Sequence, residues 1–195
     1  MLFDAEHAAL DALTVLPLLQ AVAPYPTHPV VRPRCLDEAE IKRLLDFGAQ
    51  SLLIPMINTA EDAAKLVSWS SYAPKGTRSF GPIRARFVPG DDYPAKADDE
   101  IVRFAMIETQ EALDNLDAIL AVPGLDAIYV GPSDLSISLG CTAKLDGLDA
   151  KAENAVQTIL AKAKAAGVMP GIHTGSVEGA LKRAGEGFRF VSVGS

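Results

Sequence analysis

The chain lacks the features of a membrane protein or a disulfide-stabilised protein. Its 195 residues include two cysteines, Cys35 and Cys141, which lie far apart and form no CxxC pair, so we expect reduced thiols in a cytosolic protein. No apolar run approaches the roughly 20 residues of a membrane-spanning helix. The first residues also lack the basic and apolar regions of a signal peptide. We therefore expect a cytoplasmic protein with no membrane partner.

Positive charge is also scarce. The sequence has 18 basic and 25 acidic residues, a formal net charge of −7, whereas a nucleic-acid-binding surface requires a basic stripe. Hydrophobic residues make up 49% and charged residues 22%, which is typical of a folded globular chain. No linker or low-complexity segment divides the sequence. We predict one domain over residues 1–195 and no nucleic-acid partner.

Short apolar runs rich in β-forming residues alternate with helical patterns, which indicates βα units around a parallel sheet. Most runs lack polar and apolar alternation, so helices should cover both faces of the sheet. The predicted strands lie at Pro29–Pro33, Ser51–Ile57, Arg103–Glu108, Asp126–Gly131 and Phe188–Val193, with a weaker candidate at Met169–His173. Strand centres recur every 23 residues, from Val31 to Ile54 and from Met106 to Tyr129, as in a (β/α) barrel or a doubly wound sheet.

Helix-capping residues mark the boundaries of the helices between these strands. Asp37 and Thr59 are suited to begin helices, and Gly48 and Gly167 to end them. A further helix is predicted after Thr109 from the spacing of its leucines and isoleucine.

The segment from Ser71 to Asp99 breaks this pattern and is predicted to be a long functional loop. It contains Arg78 and Arg84. We interpret these two arginines either as attractants for an acidic substrate or as solvated charges.

Several ionisable residues end or follow predicted strands, at the end of a parallel sheet where active sites form. Arg32, Glu108 and Asp134 occupy such positions, and His7 follows a possible strand end at Leu2–Asp4. Two nearby carboxylates repel each other unless a cation such as Mg²⁺ or Mn²⁺ lies between them. From spacing alone, capping of the following helices is the favoured explanation of these carboxylates.

A series of motifs spread over the chain resembles one enzyme family. The motifs are Asp4–His7, Val31–Pro33, Leu45–Gln50, Leu53–Met56, Gly76–Arg78, Met106–Thr109, Leu113–Asn115 and Gly131–Ser136. In this order they resemble the class II (metal-dependent) pyruvate aldolases of the 4-hydroxy-2-oxoheptanedioate and 2-dehydro-3-deoxyglucarate aldolase type. The resemblance implies an α/β fold, a (β/α)8 TIM-type barrel of the phosphoenolpyruvate/pyruvate-binding kind. Relative to that family, the first strand–helix unit and the C-terminal helices are expected to be missing.

The resemblance also implies an activity. The implied enzyme is a lyase that reversibly cleaves a 4-hydroxy-2-oxo acid to pyruvate and an aldehyde through a metal-stabilised pyruvate enolate. Such a reaction would serve the catabolism of aromatic compounds or sugar acids. Glu108 and Asp134 match the family's ligands for Mg²⁺, Mn²⁺ or Co²⁺. Family members assemble as trimers or hexamers, so a homo-oligomer is expected.

Further roles are carried over residue by residue. Arg32 matches an arginine that contacts the keto oxygen, and His7 matches a histidine that moves protons. Asp46 matches a carboxylate that pairs with this histidine. The backbone N–H groups of Ser133 and Asp134 match those that bind the pyruvate carboxylate.

Two other functions stay open. One is a lyase acting on an acyl-CoA thioester, which shares the barrel and the acidic metal site but would require a basic patch for the CoA phosphates. The other is an inactive truncated remnant that binds a metal or an oxo acid. A Schiff-base mechanism is not favoured, because no lysine stands out at a strand end. The lysines in helical patterns are Lys42, Lys65, Lys162, Lys164 and Lys182.

Overall fold

Parallel strands alternate with helices along the chain. The computed structural model describes residues 1–87, 90 and 92–194. The strands are β1 (Leu2–Asp4), β2 (Val30–Arg32), β3 (Ser51–Ile54), β4 (Val102–Ile107), β5 (Ala127–Val130), β6 (Met169–Thr174) and β7 (Phe190–Val193). The helices are α1 (Ala12–Val22), α2 (Glu38–Asp46), α3 (Ala60–Ser70), α4 (Tyr93–Glu100), α5 (Gln110–Asp114), α6 (Leu116–Leu120), α7 (Pro132–Ser138), α8 (Ala150–Ala166) and α9 (Val177–Glu186), with a 3-10 turn at Ala85–Phe87. None of the helices in these ranges combines the length and apolar character that crossing a bilayer requires.

The chain forms two compact units. The first unit comprises Met1–Pro55 and Lys65–Arg103, and the second comprises Met56–Ala64 and the chain from Phe104 onward. The prediction of a single domain over residues 1–195 stays a prediction.

The first unit is built on three parallel strands that pair in chain order. In the pairing of β1 with β2, Asp4 lies opposite Arg32, and in the pairing of β2 with β3, Val31 lies opposite Leu52. All four residues of β3 are buried, as predicted for a strand covered on both faces. The register brings an acidic and a basic residue together at the carboxyl ends of β1 and β2.

The second unit contains four parallel strands, β4 to β7, also paired in chain order. Ile107 lies opposite Val130, so the residues that follow them, Glu108 and Gly131, are neighbours where β4 and β5 end. The rings of Phe104 and Tyr129 both pack against Phe190, with centroids 5.0 and 5.8 Å away.

The predicted strands are confirmed as β2 to β7, and the predicted caps hold. Asp37 accepts a hydrogen bond from the N–H of Glu40 at the start of α2, and Thr59 accepts one from Asp62 at the start of α3. Gly48 and Gly167 have positive φ angles of 98° and 73° after α2 and α8. These local signals work because each cap satisfies backbone groups within a few residues of itself.

Two helices differ from expectation. The predicted loop over Ser71–Asp99 contains nearly all of α4. The sequence pattern did not predict this helix, because the helix buries little more than Tyr93 and Ala97. Residues 88, 89 and 91 lie outside the described residues. The single helix predicted after Thr109 is divided at Asn115, which has φ −93° and ψ 6°. The Asn115 amide donates to the carbonyl oxygen of Asn58 at 3.0 Å, a contact that no local pattern encodes.

Arg78 anchors the long segment between α3 and α4. Its guanidinium is fully buried, donates to Asp46 Oδ1 at 2.8 Å and to the Tyr93 hydroxyl at 3.0 Å, and lies 4.5 Å from the ring centroid of Tyr72. The interpretation of Arg78 as a solvated charge is therefore wrong, and its role as an attractant for an acidic substrate stays a prediction. Burial raises the pKa of Asp46, and Arg78 only partly offsets this effect.

A second buried arginine joins α8 to α9. Arg183 donates to both carboxylate oxygens of Glu153, at 2.6 and 2.7 Å, and to Glu186 at 2.9 Å. The hydrogen bonds that Arg183 donates to Glu153 are the largest cause that lowers the pKa of Glu153 to about 2, although partial burial opposes them.

Replacing Arg78 by methionine should make stability more dependent on pH. Without the guanidinium, the pKa of Asp46 should rise further, because burial would act unopposed. A carboxyl with a raised pKa in the folded state favours the fold while protonated, and this contribution is lost as pH rises through the folded-state pKa. We expect Arg78→Met to lose about 1–3 kcal/mol at pH 7 and less at pH 4, relative to the unmodified chain. Urea denaturation at a series of pH values measures this.

The control for this experiment is Lys96→Met, which removes the partner of the exposed residue Asp92. It should leave stability unchanged at both pH values. An Arg78→Met loss of equal size at pH 4 and pH 7 would contradict the role of Asp46 titration.

Replacing Glu153 by glutamine should destabilise the second unit above the pKa of the lost carboxylate. Because the folded-state pKa of Glu153 is depressed from 4.5 to about 2, its contribution is present above pH 4.5 and lost as pH falls toward 2. We expect a loss of about 1–3 kcal/mol at pH 7 that shrinks across this window. Asp117→Asn, which removes an exposed ion pair with Lys162, is the matched control and should cost little at any pH.

Candidate active site

The first unit carries an arginine held between two carboxylates. Arg32 donates through Nε and Nη2 to the two oxygens of Asp4, at 2.8 and 2.6 Å, and its Nη1 lies 3.2 Å from Glu6 Oε2. Its side chain is 13% exposed. The two-pronged pairing fixes the plane of the guanidinium, as a lysine in this position could not.

Asp4 is held in its charged form by this arrangement. Burial alone would raise the pKa of Asp4, but the hydrogen bond and charge of Arg32, with the backbone N–H groups of Glu6 and His7, outweigh burial. The pKa of Asp4 therefore lies below its ordinary value. The carboxylate and the guanidinium stabilise each other's ionised forms at neutral pH.

His7 lies at the solvent-exposed edge of this cluster. Its side chain is 66% exposed, and Nε2 is 3.5 Å from Glu6 Oε2. An exposed imidazole beside a carboxylate is free to exchange protons with water or with a ligand, as the resemblance implies for this histidine.

Asp46 lies at the last position of α2, and α2 returns the chain from the end of β2 toward the start of β3. Because the nine residues of α2 span roughly 13 Å, Asp46 lies about that distance from the start of the helix. His7, in contrast, follows the end of β1. Among the described contacts, Asp46 is bound to Arg78 and shares no hydrogen bond with His7. The pairing of Asp46 with His7 stays a prediction.

In the second unit, Glu108 is a buried carboxylate, 4% exposed, directly after β4. Its Oε1 accepts a hydrogen bond of 2.7 Å from the backbone N–H of Met56. Met56 has a φ of 56°, in the left-handed region that residues with a side chain rarely adopt. A Cβ on Gly131 would lie 2.5 Å from Glu108 Oε2, so the carboxylate occupies space that any other residue at position 131 would fill.

Ser133 and Asp134 lie in the first turn of α7, which begins directly after β5 and Gly131. The Asp134 side chain is exposed and Ser133 is partly buried. Backbone N–H groups in the first turn of a helix have no intrahelical acceptor, which is compatible with the predicted binding of a carboxylate. The binding of the pyruvate carboxylate by these N–H groups stays a prediction.

The second unit offers donors that suit a divalent cation. Carboxylate oxygens such as those of Glu108 and Asp134 are the ligands that Mg²⁺ and Mn²⁺ prefer. The absence of a side chain on Gly131 leaves room for the Glu108 carboxylate. Within the described ranges, no group of three or more His, Cys, Asp or Glu side chains is arranged to hold a metal. A cation held by two carboxylates would require further oxygen ligands from water or substrate.

The sequence did not predict the structural environment of two further residues. Met56 was part of a family motif, but its strained backbone and its hydrogen bond to a residue 52 positions away have no local signal. Arg78 was also part of a motif, and its burial against Asp46, 32 positions away, was not predicted. The motifs themselves were the available signal, since both residues lie within them.

Comparison with known proteins identifies the family of this chain. Residues 1–195 match the family model described as HpcH/HpaI aldolase/citrate lyase. The chain is 40% identical to a hydroxypyruvate/pyruvate aldolase of Rhizorhabdus wittichii, over 99% of this chain and 77% of the relative. It is 41% identical to a 4-hydroxy-2-oxo-heptane-1,7-dioate aldolase of Salmonella paratyphi B, over 100% of this chain and 74% of the relative.

A solved structure shares the fold. An HpcH/HpaI aldolase/citrate lyase family protein from Burkholderia cenocepacia J2315 matches with a TM-score of 0.91 and 33% identity, over 100% of this chain and 78% of that protein. The predicted α/β fold class of the aldolase barrel is confirmed. The chain belongs to the HpcH/HpaI aldolase/citrate lyase family.

Proposed function

We propose that this chain is a metal-dependent aldolase that reversibly cleaves a 4-hydroxy-2-oxo acid to pyruvate and an aldehyde. The observation that carries the proposal is the buried, oriented carboxylate of Glu108 at the end of β4, in a chain whose curated relatives are named as aldolases. An apolar or amide side chain would fill this position at lower desolvation cost, so the presence of a buried carboxylate here supports a ligand role.

Glu108 and Asp134 would hold the divalent ion, with Mg²⁺, Mn²⁺ and Co²⁺ as candidates. When bound, the ion supplies Lewis-acid stabilisation of the negative charge that develops on the oxo acid. The Ser133 and Asp134 backbone N–H groups would receive the substrate carboxylate.

Arg32 would place its positive charge near the keto oxygen. Its guanidinium is already oriented by Asp4 and Glu6, so little reorganisation is required when negative charge develops. Cleavage breaks the C3–C4 bond, removes the proton of the C4 hydroxyl and returns a proton to C3. His7 is the proposed carrier of these protons, directly or through water, because its imidazole is exposed and histidine commonly acts as a general acid or base.

Asp46 enters the proposal as a partner of His7. In the structure Asp46 accepts a hydrogen bond from Arg78, and it lies at the far end of α2 from the strand ends of the sheet. A homo-oligomer and a cytoplasmic location complete the proposal, and light scattering of the purified protein would test the former.

The proposal is tested by the release of pyruvate from 4-hydroxy-2-oxo acids, including 4-hydroxy-2-oxo-heptane-1,7-dioate, coupled to lactate dehydrogenase. Activity should disappear with EDTA and return with Mg²⁺, Mn²⁺ or Co²⁺. Glu108→Gln should lower kcat/KM by about 100-fold or more, because it removes a ligand charge while conserving shape.

Glu111→Gln is the matched control, since the same chemical change three residues later affects an exposed side chain on α5. It should retain full activity. Folded protein that releases no pyruvate with any of the metals would overturn the aldolase proposal and favour a remnant that only binds. Cleavage of an acyl-CoA thioester instead would favour the alternative lyase.

A further inference from the structure

We propose that the backbone of Met56 and the missing side chain of Gly131 are positioning elements that orient the Glu108 carboxylate for cation binding. This inference rests on the proposed function, in which Glu108 is a metal ligand. The two elements act on opposite oxygens. The N–H of Met56 donates to Oε1 at 2.7 Å, and the open space at Gly131 accommodates Oε2.

Met56 is held in a strained conformation. It directly follows the β3–Pro55 segment and is the one residue other than glycine with positive φ among those the structure describes. A left-handed conformation is unfavourable for a residue with a Cβ and persists only where surrounding contacts impose it. Here the residue with this conformation donates its N–H to Glu108, so the strain coincides with a specific contact to the buried carboxylate.

Contacts on the following residues keep this segment in place. The hydroxyl of Thr109, the residue after Glu108, donates to Asn58 Oδ1, and the Asn115 amide donates to the Asn58 carbonyl oxygen at 3.0 Å. Asp62 in α3 accepts from the N–H groups of Asn58 and Thr59. The segment from Met56 to Thr59 is therefore hydrogen-bonded both to Glu108 and to Thr109 and Asn115, which follow Glu108 in the chain.

Gly131 acts through its size rather than through backbone freedom. Its φ is −93° and its ψ is 91°, a conformation that alanine also adopts. A Cβ there would lie 2.5 Å from Glu108 Oε2 and 3.1 Å from Glu108 Cβ. An alanine would therefore displace the carboxylate and disturb its hydrogen bond to Met56, with little direct cost to the backbone of residue 131.

Groups that orient a metal ligand without touching the metal typically change metal affinity by about 10–100-fold when altered. We therefore expect Gly131→Ala to weaken Mn²⁺ binding by at least about 10-fold. The electron paramagnetic resonance signal of free Mn²⁺, measured during titration of the purified chain, gives the dissociation constant without reference to activity. Melting temperature in EDTA reports folding separately.

Gly185→Ala is the matched control. Gly185 lies in α9, and a Cβ there would meet nothing within 4 Å. It should bind Mn²⁺ as the unmodified chain does. Mn²⁺ affinity of Gly131→Ala equal to that of Gly185→Ala would overturn the role of Gly131.

Met56 is tested by a pair of substitutions with opposite backbone preferences. Valine, branched at Cβ, strongly disfavours positive φ and should carry the N–H away from Glu108, whereas glycine adopts positive φ readily. Met56→Gly should therefore bind Mn²⁺ at least about 10-fold more tightly than Met56→Val. Since both variants lose the methionine side chain, equal affinities would overturn the role of the Met56 backbone.

Glu108→Gln separates this inference from the function on which it depends. If Glu108→Gln binds Mn²⁺ as tightly as the unmodified chain, Glu108 is not a ligand and the proposed function fails at that residue. If Glu108→Gln loses binding while Gly131→Ala and Met56→Val retain it, the metal site stands and the positioning inference fails.

Discussion

A buried carboxylate must find hydrogen-bond donors and space, because an isolated charge removed from water is strongly unfavourable. Glu108 imposes this requirement where β4 ends. The N–H of Met56 donates a hydrogen bond to Glu108 Oε1, and Gly131 leaves space beside Oε2. The pairing of Ile107 with Val130 makes the second contact possible, since it brings Gly131 next to Glu108. Strand register, a strained residue and a glycine thus converge on one side chain.

Arginines paired with carboxylates meet the same requirement elsewhere in the chain, and two of them, Arg78 and Arg183, are buried. Arg32 is paired with Asp4, Arg78 with Asp46 and Arg183 with Glu153. Each pairing joins residues distant in the sequence, so each arginine connects elements that the chain forms separately. A chain with a net charge of −7 therefore keeps several of its positive charges inside, where they hold carboxylates in defined orientations.

The direction of the chain separates the polar residues of the first unit. Residues that follow a strand, such as His7 and Arg32, lie at its carboxyl end, whereas a residue that ends the return helix, such as Asp46, lies toward the start of the next strand. Asp46 can orient His7 only if the two side chains come into contact despite lying toward opposite ends of neighbouring strands. The burial of Arg78 against Asp46 also means that changes at either residue affect folding, so activity and stability have to be measured together.

The sequence alone determined the alternation of strands and helices, the caps at Asp37, Thr59, Gly48 and Gly167, and, through resemblance to a family, the candidate ligands Glu108 and Asp134. These features depend on local patterns or on motifs read in order. Only the tertiary structure decided the conformation of Met56, the burial of Arg78 and the break at Asn115. Their partners lie 52, 32 and 57 positions away, and contacts over such separations arise from strand pairing and packing that no short window of residues encodes.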